Sequence, residues 1–97
     1  MFDHVVLFRC PPLTPEEETR FVADTAAFAE MEGVVSSVGG PLVRATPDNY
    51  THMLVMRIKD RGSFDRYVAD DRHKAFVDWI VPRSEVAVYD LDQEPEA

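Results

Sequence analysis

Two runs of alternating residues constrain the fold of this 97-residue chain more than any other feature of the sequence. They span residues 1–9 and 50–59, and both have the period of two that is typical of a β-strand. Each run is apolar on both faces, so both faces of the resulting sheet need a covering layer. One face carries Phe2, His4, Val6, Phe8, His52, Leu54, Met56 and Ile58, and the other carries Val5, Leu7, Met53 and Val55.

Helix signals separate these strands. A first helix is predicted over residues 15–32, because Thr14 can cap it and Glu17 can complete a capping box. A second helix is predicted to begin with Ser63 as its cap and to continue to about residue 80. It is expected to break near residues 70–72, where acidic residues can cap a new helical segment.

Two shorter strands, over residues 34–38 and 86–91, complete the pattern, and the first is predicted to end at the turn Gly39-Gly40-Pro41. The element order is therefore β-α-β-β-α-β, which is the ferredoxin-like arrangement of the α+β class. It consists of a four-stranded antiparallel sheet with two helices on one face. Residues 1–92 are predicted to form this single domain, and residues 93–97 an acidic C-terminal tail.

The second apolar face of the sheet predicts a partner. Two helices can cover only one face of a four-stranded sheet, which leaves the other face exposed in a monomer. Packing against the sheet of an identical chain is the simplest way to bury it, so the sequence predicts a homodimer. The predicted interface residues are Val5, Leu7, Met53 and Val55.

Composition excludes several classes of partner and site. Ten Lys and Arg residues against 18 Asp and Glu residues give a formal net charge of −8, which argues against nucleic acid and anionic membranes. The apolar runs are too short to span a bilayer and no signal-peptide pattern is present, so a cytoplasmic location is expected. Cys10 is the single cysteine, and no residue near it in sequence supplies a base. The three histidines lack metal-ligand spacing and no Gly-rich phosphate-binding loop is present, so no metal or cofactor is expected.

Three segments carry a family resemblance. They are His4–Phe8 in the first strand, Tyr50–His52 at the start of the third, and residues 67–77, where an aromatic residue and a break precede a His-x-x-Phe motif. Together they resemble the stress-responsive A/B barrel (Dabb) family over essentially the whole chain. The resemblance implies a dimeric α+β barrel. Where that family often has His-Pro-x-His at the break, this chain has Asp70-Asp71-Arg72-His73.

The resemblance also implies a chemistry. Some plant members similar to this chain are polyketide cyclases of the olivetolic-acid-cyclase type, which act without a cofactor. By that resemblance, His4 and His73 carry out acid–base steps, aided by Tyr67. Tyr67 and His73 can converge only if the helix breaks between them. His73 would then lie in the first turn of the resumed helix, where the helix dipole favours the neutral imidazole that a general base requires.

A hydrophobic small molecule is expected to bind between the sheet and the helices and to undergo an aldol-like cyclisation, an isomerisation or a related proton transfer. Two alternatives stay open: a non-catalytic stress-responsive dimeric module, and a cofactor-free monooxygenase-like protein. Each candidate residue also has a structural interpretation, as part of the core or as a helix-end residue. A cavity that touches both His4 and His73 would distinguish the first function from a purely structural module. The predicted ligand-binding residues are Phe21, Phe28, His52, Leu54, Met56, Phe76 and Trp79.

Overall fold

The central sheet of the protein has four antiparallel strands, which are β1 (Phe2–Arg9), β2 (Val34–Pro41), β3 (His52–Ile58) and β4 (Glu85–Asp92). Their spatial order is β2-β3-β1-β4, so the two alternating runs of the sequence form the centre of the sheet. This computed structural model describes residues 1–93, and residues 94–97 of the predicted acidic tail lie outside the described part. The predicted ferredoxin-like α+β fold is confirmed.

Three helices cover one face of this sheet, and they are α1 (Pro15–Ala27), α2 (Arg61–Ala69) and α3 (Asp71–Ile80). The capping box predicted at the start of α1 is confirmed. The Thr14 hydroxyl accepts from the Glu17 N–H at 3.2 Å, and the Glu17 carboxylate accepts from the Thr14 N–H at 2.9 Å. The predicted end of α1 at residue 32 is wrong, because a 3₁₀ turn over Phe28–Glu30 replaces its last turn. A 3₁₀ turn repeats every three residues, so Phe28 and Met31 both point into the core.

The cap of α2 also differs from the prediction. Asp60, not Ser63, caps this helix, because the Asp60 carboxylate accepts from the Ser63 N–H at 2.8 Å. Ser63 is instead buried inside the first turn, and its hydroxyl accepts from Arg66 at 2.9 Å. Gly33 makes this packing possible. Its φ is +85°, and a Cβ at this position would lie 2.1 Å from Ser63 Oγ.

Strand β2 is longer than predicted. The segment Gly39-Gly40-Pro41 was expected to end the strand as a turn, but it pairs with β3 as far as Pro41 opposite His52. Gly39 therefore marks a close approach of α1 and not a turn, because a Cβ at this position would lie 2.6 Å from Thr25 Oγ1. The pairing of β2 with β3 is irregular between Val34 and Ser36.

The two faces of the sheet are covered differently. On the side of the helices, the alternate residues of β1 and β3 are buried in one apolar core. On the other side, the predicted interface residues of β1 and β3 are only half-buried, and Val38, Tyr89 and Leu91 are more than half exposed. Val38 pairs with Val55, Val55 with Val5, and Val5 with Tyr89, so an apolar row crosses the whole sheet. We call this the open face, and it comprises Val5, Leu7, Val38, Met53, Val55, Tyr89 and Leu91.

Candidate functional site

The predicted helix break is confirmed and shapes the site. Asp70 has φ −71° and ψ 140°, which ends α2, and its carboxylate accepts from the Arg72 N–H at 2.8 Å to start α3. The Arg72 guanidinium donates back to both oxygens of Asp70 at 3.1 Å. Because the chain turns here, the His73 ring lies against the Tyr67 ring, with 4.5 Å between their centroids.

The His73 ring has one anchored nitrogen and one free nitrogen. Its Nδ1 lies 3.0 Å from the Val68 carbonyl oxygen, so Nδ1 carries the proton and Nε2 has a free lone pair. Burial lowers the pKa of His73 below its usual 6.5, and the His4 ring acts in the same direction. The Val68 carbonyl and the Asp70 charge oppose that shift. The net result is a neutral imidazole at neutral pH, as a general base requires.

The His4 ring is anchored by a residue that the sequence analysis did not single out. His4 lies opposite Asp90 in the β1–β4 register, and its Nδ1 donates to Asp90 Oδ1 at 2.5 Å. The buried His4 ring also packs against Phe64 and Tyr67, with centroid distances of 5.0 and 5.9 Å. Asp90 therefore fixes the tautomer and the orientation of His4. The alternation of residues in β4 could have identified Asp90, because it puts Asp90 on the same face of the sheet as Val88.

Tyr67 lies between the two histidines. Only 2% of its surface is exposed, and burial raises the pKa of its phenol, so the hydroxyl stays protonated. Within residues 1–93 this hydroxyl has no hydrogen-bond partner. Every fully buried side-chain oxygen or nitrogen in that range does have a partner, so the Tyr67 oxygen is not fully buried. The Tyr67 hydroxyl is consequently reachable from the space beside it and is free to donate to a ligand.

A cavity of about 170 Å³ joins these three side chains. It lies between α3 and the β1–β4 half of the sheet, and its wall is apolar apart from His4, Tyr67 and His73. Its edge residues Val81, Val86 and Val88 are all more than a third exposed, so the cavity opens along β4, which no helix covers. The lining residues are His4, Val6, Phe8, Leu54, Tyr67, His73, Phe76, Val77, Ile80, Val81, Val86 and Val88.

Comparison with family models identifies the fold family. The model described as the Stress responsive A/B Barrel Domain, Dabb, matches residues 2–92. The chain belongs to the Dabb family. No curated protein sequence matches this Dabb chain.

Solved structures similar to the Dabb chain share its whole fold. A Dabb family protein with a ferredoxin-like fold from Mesorhizobium loti is 25% identical, with a TM-score of 0.76 over 99% of this chain and 97% of that one. A dimeric ferredoxin-like protein of unknown function from Thermobifida fusca is 18% identical, with a TM-score of 0.79 over 93% and 88%. The hydroxynitrile lyase of Passiflora edulis is 15% identical, with a TM-score of 0.74 over 95% and 94%.

The predicted ligand-binding residues of this Dabb protein occupy four places. Leu54 and Phe76 line the cavity, whereas Phe21, Phe28 and Met56 are buried in the core and do not line it. Trp79 packs under two guanidinium groups, with Arg20 at 4.2 Å and Arg83 at 5.3 Å from its ring centroid. His52 pairs with Phe8, four residues along β1 from His4, and belongs to a separate cluster. The valines at the cavity mouth were not predicted.

The part of the Dabb chain that the structure describes, residues 1–93, contains neither a metal-binding cluster nor a membrane-spanning helix. Within that range, no group of three or more His, Cys, Asp or Glu side chains is arranged to hold a metal ion. None of the helices described there is long and apolar enough to cross a membrane.

Proposed function

We propose that this Dabb protein binds a small, largely apolar molecule with a carbonyl or phenol group and moves a proton on it without a cofactor. The observation that carries the proposal is the convergence of His4, Tyr67 and His73 on one apolar cavity. Small-molecule sites typically combine apolar walls with a few polar groups of this kind. A purely structural module would instead have these side chains satisfied inside the protein. Within residues 1–93, neither His73 Nε2 nor the Tyr67 hydroxyl has a hydrogen-bond partner.

The cavity volume indicates the size of the ligand. A void of about 150 Å³ lined by apolar side chains holds one benzene ring. At about 170 Å³, this cavity suits a single ring or a short branched carbonyl compound. Any longer substituent would leave through the mouth beside Val86 and Val88.

Each polar group has a distinct role in the proposed reaction. His73 Nε2 removes a proton from the carbon next to a carbonyl, or from a hydroxyl group. The Tyr67 hydroxyl donates a hydrogen bond to the oxygen on which negative charge develops. His4 returns a proton to the ligand, and the hydrogen bond from its Nδ1 to Asp90 holds its ring in a fixed orientation. The apolar walls exclude water and strengthen these hydrogen bonds.

Two kinds of similarity support an acid–base reaction. The sequence resembles plant polyketide cyclases at His4, Tyr67 and His73, and a cyclase of that type forms an enolate by proton removal. The Passiflora edulis relative is a hydroxynitrile lyase, and a hydroxynitrile loses its hydroxyl proton when it splits into a carbonyl compound and cyanide. An aldol-like cyclisation, an isomerisation or a cleavage of this kind would each use one base and one acid.

The proposal includes a homodimer formed through the open face. The Thermobifida fusca relative is described as dimeric, and the row Val38, Val55, Val5 and Tyr89 would otherwise face water. Burial stabilises such a contact by about 25 cal/mol per Å² of apolar surface. We expect the protein to sediment as a dimer and Val55→Asp to sediment as a folded monomer. A wild-type chain that sediments as a single copy at high concentration would exclude this interface.

Hydrogen–deuterium exchange on the ligand tests the catalytic proposal. Single-ring ketones that bind, detected by chemical-shift changes of His73 and Tyr67, should exchange their α-protons in D₂O faster than in buffer alone. His73→Gln should lower that rate by about a hundredfold, because a positioned base contributes about 10²–10⁴. Glu16→Gln, on the exposed side of α1, is the control. Binding without accelerated exchange would show a binding protein, and exchange unaffected in His73→Gln would refute the assigned base.

A further inference from the structure

A second cluster of reactive side chains surrounds His52 at the start of β3, whereas His4 lies opposite Met56 near the end of that strand. His52 is 5% exposed, and its Nε2 donates to a carboxylate oxygen of Glu18 in the first turns of α1. Its Nδ1 lies 3.5 Å from Cys10 Sγ and 2.8 Å from the Thr51 hydroxyl. The Phe21 ring packs on the imidazole at a centroid distance of 4.9 Å and holds it in place. A thiol, an imidazole and a carboxylate are thus connected in series.

The hydrogen bonds of Thr51 allow His52 Nδ1 to carry the proton of the Cys10 thiol. The Thr51 hydroxyl donates to the Phe8 carbonyl at 3.2 Å and accepts from the Cys10 N–H at 3.3 Å. With its own proton directed at Phe8, the Thr51 oxygen is an acceptor for a proton on His52 Nδ1. Glu18 accepts the other ring N–H. Every bond of a charged imidazole beside a thiolate therefore has a partner already in position.

Cys10 also borders a groove on the surface. This open groove has a volume of about 570 Å³ and is lined by Arg9, Pro11, Pro82, Arg83, Ser84 and Glu85 in addition to Cys10. Cys10 is 7% exposed, so its side chain is covered but not sealed. The guanidinium groups of the lining residues are engaged, since Arg9 donates to Glu85 and Arg83 donates to Glu17. The groove accordingly favours a small uncharged reagent.

We propose that Cys10, His52 and Glu18 form a nucleophilic site that is covalently modified by small α,β-unsaturated carbonyl compounds entering from this groove. His52 Nδ1 takes the thiol proton, and the sulfur forms a bond to the β-carbon of the compound. The electron pair of the C=C bond moves toward the carbonyl to give an enolate, and the α-carbon then takes the proton back from His52. Nothing is oxidised and no group leaves. Glu18 is a positioning residue, because it touches only the imidazole.

N-ethylmaleimide, an α,β-unsaturated carbonyl compound, is the probe for this site. Cys10 is the single cysteine of the chain, so the mass of an adduct assigns it, and Cys10→Ser should give none. At pH 7 the wild-type protein should react at least about tenfold faster than Glu18→Gln or His52→Gln. Glu16→Gln, which removes a neighbouring carboxylate of α1 that has no contact with His52, should react within about twofold of the wild type.

The dependence on pH separates positioning from a change in access to the sulfur. Above about pH 9.5 an ordinary thiol ionises without help, so the wild type and Glu18→Gln should then react at rates within about twofold. A difference that persists there, or equal rates at pH 7, would overturn the proposal. Reaction of only the urea-unfolded protein would also overturn it, because the thiol would then be inert in the fold. Glu18→Gln is isosteric and half-buried, so it keeps the test valid if His52→Gln fails to fold.

Discussion

His4 and His52 lie on the same face of the two central strands, and their surroundings differ in one respect. Both rings are buried, and each donates to a carboxylate from a neighbouring element, Asp90 on β4 or Glu18 on α1. Beside His4 there is a cavity of about 170 Å³, whereas beside His52 there are the Phe21 ring and the side chains of Cys10 and Thr51. A buried histidine–carboxylate pair by itself therefore does not predict an apolar cavity beside the ring.

The covering of the sheet explains the difference. At the His52 end, α1 packs directly on β2, where Gly39 lets it approach closely, and its Glu18 and Phe21 side chains contact His52 on β3. At the His4 end, α3 covers β1 and stops short of β4, whose residues Val86 and Val88 are left exposed. The cavity therefore lies where an edge strand extends beyond the helix layer. The position of the helices, and not the histidine itself, determines which chemistry each end can support.

Substituting each of the two histidines by alanine is the strongest test of this comparison. His4→Ala should lower ketone α-proton exchange by about a hundredfold, because it removes a group proposed to act on the ligand. His52→Ala should leave that rate nearly unchanged and lower the free energy of unfolding by about 1–3 kcal/mol, because it removes a buried hydrogen-bonded ring. Exchange assays and urea unfolding measure the two quantities. A His52→Ala protein that is folded but inactive would contradict the separation of the two clusters.

The sequence predicts the scaffold of the site well and its walls poorly. The alternation of β1 and β3 assigns His4 and His52 to the helix side, and the acidic residues at 70 and 71 predict the break that brings Tyr67 to His73. These are local signals with a period or a cap as their cause. All of them are confirmed by the structure.

The contacts that complete each cluster depend on register and on helix placement, which have no local signal. Asp90 meets His4 across 86 positions, and Cys10 meets His52 across 42, so the absence of a base near Cys10 in sequence was not informative. The predicted walls at Phe21 and Phe28 are core residues instead. Aromatic residues on a helix face predict burial but do not show where the packing leaves a void.

Filling the mouth of the cavity should affect the His4 end alone. Val88 is 52% exposed and lines the cavity, so Val88→Phe should place a ring in the mouth and weaken ketone binding by about tenfold. Its effect on the free energy of unfolding should stay within about 0.5 kcal/mol, because the position is half exposed. Val43→Phe, at an exposed position remote from the cavity, is the matched control. Titration calorimetry measures the affinity for the ketone, and urea unfolding measures the free energy of unfolding. Equal binding by the wild type, Val88→Phe and Val43→Phe would place the ligand elsewhere.

The pH dependence of proton exchange gives the finest test of the His4 end. Because burial lowers the pKa of His73 below 6.5, more than half of the rings are neutral at pH 6.5, and the rate there should exceed half of its high-pH plateau. In that range the unfolded chain binds more protons than the folded one, so the contribution of His73 to stability should decline as pH falls below 6.5. NMR titration of the ring and urea unfolding between pH 5 and 8 measure both.

A substitution at the helix break tests the direction in which a neighbouring charge shifts the pKa of His73. The charge of Asp70 raises the pKa of His73 against the effects of burial and of His4, so Asp70→Asn should shift the rate profile to lower pH. Asn caps a helix about as well as Asp, so α3 should still begin at the same residue. A shift of the profile to higher pH would show that the Asp70 charge does not act on His73. A midpoint above 6.5 in the wild type would show that the ring of His73 is not buried beside the cavity, and the assignment of His73 as the base would be withdrawn.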